Sequence, residues 1–197
     1  MWAICSETSR GLAPDQAFEL ARRLLPNPDL HGAMASALMA GHVSYLVPAA
    51  LEFLRTDIAK HPDVRVQDCL ARGLDHFCLN RGYDQALVTL EAWARDPNDS
   101  VRRAVVEAPR VWTRRDYFKA KPKVAVAFVS SMKADGSGMV RFSVGRALAE
   151  MGEDFPDLLL AELKTWNLHL TPVRHTYTFA SKNLHTSMGT VFPKSQP

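Results

Sequence analysis

The sequence predicts an all-α protein assembled as a stack of helix pairs. Apolar residues recur at three-to-four spacing through most of the chain, and no stretch alternates apolar and polar long enough to make a strand. A Val-Arg motif also returns at near-regular intervals. It heads the segments PDVRVQDCLARGL (62–74), DSVRRAVVEA (99–108) and GMVRFSVGRALAEM (138–151), with Val-Arg starting at 64, 101 and 140, spacings of 37 and 39 residues. A helix pair of that length has too little surface to bury its own apolar stripes, so neighbouring pairs must stack. The expected product is a curved α-solenoid of HEAT-like helical repeats, one domain over residues 1–197, with the second helix of each pair lining one face.

The first amphipathic stretch, PDQAFELARRLL (14–25), places Pro14 and Asp15 in a first turn, where a missing N–H and a negative charge both suit the helix start. The same periodicity predicts helices over 32–40, 45–58, 66–77, 83–94, 101–107, 124–132, 140–151, 156–166 and 176–184. The breakers NPD, AGH, KHPD, NRG, DPND, KAKP, ADGSG, GEDFP and LTP separate them.

With 197 residues, 47% hydrophobic and 23% charged, the chain can bury a sizeable core. The start, MWAICSETSRGLAPDQ, has no basic segment leading into an apolar one, and no apolar run approaches the roughly 18 residues that span a bilayer. A soluble, cytoplasmic protein without membrane association is expected. Cys5, Cys69 and Cys78 are odd in number and lack CxxC spacing, which predicts reduced thiols rather than a disulfide or zinc. The seven histidines are scattered without HxxxH or HExxH pairs, so neither a metal nor another cofactor is expected.

Charge is concentrated. The formal net of +3 hides a segment, 101–123, with eight basic and two acidic side chains, while residues 61–100 carry four and seven. Such asymmetry points to an anionic partner. Arg102 and Arg103 lie at a helix start, where side-chain charge and the helix dipole act together on a phosphate. Arg110, Arg114, Arg115, Lys119, Lys121 and Lys123 extend the patch, and Trp112, Tyr117 and Phe118 punctuate it with packing aromatics. For Arg102 the pattern also allows a structural role, bonding a carboxylate or backbone of an adjacent repeat, so Arg103, Arg114 and Arg115 weigh more as phosphate contacts. Contacts of this kind hold an anionic partner by charge alone.

The segments WARDPNDSVRRA, RVWTRRDYF and VRFSVG, within a likeness strongest over 65–166, resemble the HEAT-repeat DNA alkylation repair family, the superfamily of alkylpurine DNA glycosylases. The resemblance implies a right-handed solenoid whose concave, basic face cradles duplex DNA, acting as a monomer without cofactor. Arg141 and Arg146 join the DNA-binding set on this reading. In active relatives it further implies hydrolysis of the N-glycosidic bond of an N3- or N7-alkylated purine. The catalytic acid of such relatives falls on Asp68, with Val64 where they carry a Trp and Arg146 where a second aromatic is expected. A carboxylate there would stabilise the oxocarbenium-like sugar left as the base departs. Asp75, two turns on, could assist it or pair with Arg72. The alternative is a non-catalytic HEAT-repeat scaffold that binds structured DNA or a protein partner.

Overall fold

The computed structural model describes residues 1–108 and 116–184, and every regular element among them is helical. The fold is an all-helical array of HEAT-like pairs. It divides into two compact units, residues 1–109 and 110–197. The first holds α1 (Trp2–Arg10), α2 (Pro14–Leu24), α3 (Leu30–Val43), α4 (Pro48–Thr56), a 3-10 turn (Ile58–Lys60), α5 (Val64–Arg81), α6 (Tyr83–Trp93) and α7 (Asp99–Glu107). The second holds α8 (Asp116–Ala120), α9 (Pro122–Ser130), α10 (Gly138–Asp154), α11 (Pro156–Lys164) and α12 (Thr171–Ala180).

In the first unit, α2 packs on α3 and α4 on both α3 and α5, while α6 packs on both α5 and α7. The second helices α3, α5 and α7 also lie in sequence against one another. In the second unit α10 packs on α9, α11 and α12. Leu54, Leu70, Leu74, Leu90, Val101 and Val105 fill the first core, and Phe118, Leu148 and Leu159 the second. Where α3 crosses α5 the backbones touch through Gly41 and Gly73, and a Cβ built at Gly41 would fall on the Gly73 Cα. At Gly145, on α10, an added Cβ would meet the Phe179 Cβ at 2.5 Å.

One device starts four of the second helices. Two residues before the N-cap, a side chain accepts the N-cap amide: Asn27 from Asp29 (2.9 Å), His61 from Asp63 (3.1 Å), Asp96 from Asn98 (2.8 Å) and Asp135 from Ser137 (2.8 Å). Four residues past three of these caps, a long polar side chain bonds back to the carbonyl of the same residue. Gln67 Nε2 reaches His61 O (3.1 Å), Arg102 Nη1 reaches Asp96 O (2.7 Å) and Arg141 Nη1 reaches Asp135 O (2.6 Å). The valines just before them, Val66, Val101 and Val140, are fully buried.

This corrects the register of the repeat. The in-phase series is Val66-Gln67, Val101-Arg102 and Val140-Arg141, with spacings of 35 and 39 residues, and the Val64-Arg65 pair lies two residues out of step. Val64 is 46% exposed, and Arg65 turns back onto its own N-cap, Asp63, at 2.7 Å. Burial of the valine, not the Val-Arg spelling, sets the phase.

Asp96 ties this device to the preceding repeat. It is buried, and its second carboxylate oxygen accepts from Arg55 Nε of α4 at 2.6 Å, while Asn98 Nδ2 donates to Ala59 O at 3.3 Å. Asp96→Ala strands the Asn98 amide and cuts the tie to Arg55, which among the described residues keeps only Glu52. Thermal denaturation should show a loss of about 2 kcal/mol, roughly 4–8 °C in Tm for a chain of this size. Unchanged melting would mean that the loop is held by something other than Asp96.

Two helices differ from the sequence expectation in existence rather than in bounds. Trp2–Arg10 is helical although nothing was expected before residue 14, and Asp116–Ala120 forms a short helix just ahead of the KAKP breaker. The helix expected over 176–184 begins earlier, at Thr171, because Pro172 occupies its first turn, where proline is tolerated. Cys5, Cys69 and Cys78 are free thiols, all buried in the first unit.

Candidate functional site

The register of the helix starts places the candidate residues. Five positions past the N-cap stand Asp68 on α5 and Arg103 on α7, and these two helices pack side by side. Arg103 Nη2 donates to Asp68 Oδ1 at 2.7 Å, and its Nη1 donates to Gln67 Oε1 at 3.2 Å. Gln67 in turn is fixed by its own bond to His61 O. A chain of hydrogen bonds thus runs from the loop before α5 through Gln67 and Arg103 to the Asp68 carboxylate.

Exposure is unequal along that chain. The Arg103 side chain is only 12% exposed, whereas that of Asp68 is 56% exposed. The guanidinium is therefore the anchor and the carboxylate the presented group. The arrangement offers a fixed negative charge to a ligand. Exposed Val64 stands one turn before it. Asp75 accepts from the Tyr83 hydroxyl at 3.4 Å.

The remaining sequence-predicted residues are distributed over both units. Arg102 bonds the carbonyls of Asp96 and Pro97 through Nη1 (2.7 and 3.0 Å), a backbone role like the one the sequence allowed but within the loop before its own helix rather than to an adjacent repeat. Arg110, Arg114 and Arg115, with Trp112, lie outside the described residues. Lys119 projects from α8 with 57% of its side chain exposed, 4.0 Å from Asp116. Lys121 lies over the Tyr117 ring at 4.4 Å, and Phe118 is core. Arg141 serves the α10 loop and brings its Nε to His175 Nδ1 at 3.4 Å. Arg146 is 3.5 Å from Glu150 and 5.7 Å from the Phe142 ring centroid.

Two residues were passed over in the sequence. Gln67 holds Arg103, and Phe142, 39% exposed, packs edge-on with Phe179 at 4.9 Å. Phe142 occupies on α10 the position of Asp68 and Arg103 on their helices. Counting from the N-cap rather than from Val-Arg would have found both. Among the described residues no three His, Cys, Asp or Glu side chains converge as a metal site, and no helix is long and apolar enough to cross a membrane.

Residues 3–181 match the family model described as DNA alkylation repair enzyme. No curated protein matches the chain. Among solved structures it is similar to AlkD2 from Streptococcus mutans, with a TM-score of 0.87 and 32% identity over 92% of this chain and 89% of that one. It is similar also to smu.31 from Streptococcus mutans UA159, with a TM-score of 0.86 and 32% identity over 91% of each chain. A third structure is the Pseudomonas fluorescens alkylpurine DNA glycosylase AlkC bound to DNA containing an abasic site analog. There the TM-score is 0.54 and the identity 23%, over 81% of this chain and 48% of that one, a likeness of fold.

Proposed function

The chain belongs to the DNA alkylation repair enzyme family, and from that premise we propose that it binds duplex DNA and hydrolyses the N-glycosidic bond of a cationic alkylated purine. The observation that carries the reading is the Asp68 carboxylate, presented to solvent and fixed by a nearly buried Arg103. An N3- or N7-alkylated purine already carries positive charge, so it leaves as a neutral base with the bonding electrons and needs no general acid. Positive charge then moves onto the sugar. A fixed carboxylate stabilises that charge and orients the water that adds to the anomeric carbon, the water's proton passing to solvent. Arg103 acts on this reading as the group that positions Asp68, rather than as a free phosphate contact.

Phosphate contacts then fall to Arg110, Arg114, Arg115 and Lys119, with Arg141 and Arg146 on the second unit. The reading takes residues 1–197 as one right-handed, monomeric domain with a basic concave face. Duplex oligonucleotides carrying N3- or N7-alkylpurines, incubated with the protein, should release free base. If no base is released while the duplex is bound, the non-catalytic scaffold is the reading to keep. Exposed Val64, standing where a glycosylase of this family would carry a Trp, favours that second reading.

The basic segment has its own test. Arg110→Gln, Arg114→Gln and Arg115→Gln together should weaken duplex binding about equally across sequences, and should lower the slope of log affinity against log salt by about 3. An unchanged slope, with helicity intact by circular dichroism, would move the phosphate contacts elsewhere.

A further inference from the structure

Helix α1 is held to the first unit by an unusual stack. Trp2 lies against His42 of α3 (ring centroids 6.3 Å) and His76 of α5 (5.4 Å), the two imidazoles are 4.6 Å apart, and Tyr45 closes on His76 at 5.9 Å. His42 is 8% exposed, and its Nδ1 is buried with no hydrogen-bond partner. Beneath α1 the buried residues are Cys5, Ser6 and Ser9, and the Ser9 hydroxyl is also buried without a partner. This contact is poor in apolar area, and a nine-residue helix is too short to persist alone. Its hold therefore depends on the rings.

We propose that the Trp2–His42–His76 stack is an acid-released latch: protonating the imidazoles detaches α1 while the remaining helices of the first unit stay folded. Under α1 the protonated rings are two cations 4.6 Å apart and out of water, and a protonated His42 buries a donor without an acceptor; release of α1 hydrates both where they stand on α3 and α5. The charged neighbour that bears on both rings is Arg10 of α1 itself, of the same sign. Around the pair α1 also contributes the neutral Cys5 thiol, the turn after α3 contributes Tyr45, and α5 contributes Asn80, whose Nδ2 lies 3.3 Å from the His76 ring nitrogens.

The direction of titration agrees with the geometry. Burial, then the adjacent His42, pulls His76 down to about 4, against a hydrogen bond to the Gly41 backbone; burial, then Arg10, lowers His42. With α1 released and the rings in water, each returns toward about 6.5. The closed form thus binds fewer protons than the open one. Closure is complete above about pH 6.5 and is lost as pH falls toward 4.

Hydrogen exchange of the full chain, corrected for intrinsic rates, tests this. Amides of residues 2–10 should lose protection about twenty-fold between pH 7 and pH 5 from His76 alone, while α5 and α7 keep theirs. His76→Phe should retain α1 and remove the greater part of the response, leaving only what His42 contributes. Trp2→Ala, which leaves both histidines in place, should open α1 already at pH 7. Unchanged protection of residues 2–10 at pH 5, a loss shared equally by α5 and α7, or a Trp2→Ala chain with α1 fully protected would each overturn the proposal.

Discussion

Asp68→Asn should lower release of an alkylated purine by a hundredfold or more, while duplex affinity stays equal or rises slightly. The magnitude is that of removing one fixed group from the place where charge develops, about 10²–10³ in rate. The sign on affinity follows from removing a negative charge from a surface proposed to face phosphates. Asparagine keeps an oxygen that can accept from Arg103, and Arg103 keeps Gln67, so the fold should survive. Arg103→Ala separates positioning from chemistry. It frees the carboxylate without deleting it, so excision should fall by less than in Asp68→Asn and recover in part in Arg103→Lys. Normal excision by Asp68→Asn would remove Asp68 from the mechanism. Equal melting temperatures for the two variants and the parent chain would show that any loss is chemical and not structural.

The largest effect on stability is expected at the α3–α5 crossing. Glycine to alanine in mid-helix ordinarily gains about 1 kcal/mol, but at Gly41 the added methyl has nowhere to go. Its Cβ meets backbone, the Cα of Gly73, and backbone cannot turn aside as a side-chain end can. The helices must separate, taking buried neighbours such as Leu54 and Leu74 with them. Gly41→Ala should cost roughly 3 kcal/mol, the upper end of overpacking penalties, or roughly 6–12 °C in Tm. A melting temperature at or above that of the parent chain would show that α3 and α5 can part freely.

Periodicity made nine of the ten expected helices legible to within a few residues, because each buries an apolar stripe at helical spacing. The tenth, expected over 176–184, starts five residues earlier behind Pro172. Helix α1 was invisible for a physical reason. The residues it buries are Cys5, Ser6 and Ser9, while Ile4, its most apolar aliphatic residue, is 69% exposed, so the face that packs is not the face that reads as hydrophobic. The repeat was seen, but its phase was taken from Val64-Arg65, since spelling cannot distinguish an exposed valine from Val66 two residues on. The same slip hid Gln67, which takes the place of the arginines in the series. Asp68 and Arg103 were expected on the one face that stacked second helices share, and the structure adds that they pair directly, a contact 35 residues apart in sequence. Arg102 carried a structural alternative from the outset, a bond to an adjacent repeat, whereas the carbonyls it bonds belong to the loop before its own helix.

The burial of the three cysteines has a consequence in chemical kinetics. Burial pushes Cys5 up, Cys69 to about 11 and Cys78 to about 12, each with desolvation as the leading cause. An ordinary thiol, near 8.5, is a few per cent thiolate at neutral pH. At a value of about 11 the nucleophilic form is only about one in ten thousand. The reagents that methylate purines also attack thiolates, and they must reach the sulfur to do so. This chain keeps its three sulfurs protonated and covered, so a protein proposed to work on alkylated DNA should withstand, at its cysteines, the electrophiles that damage its substrate.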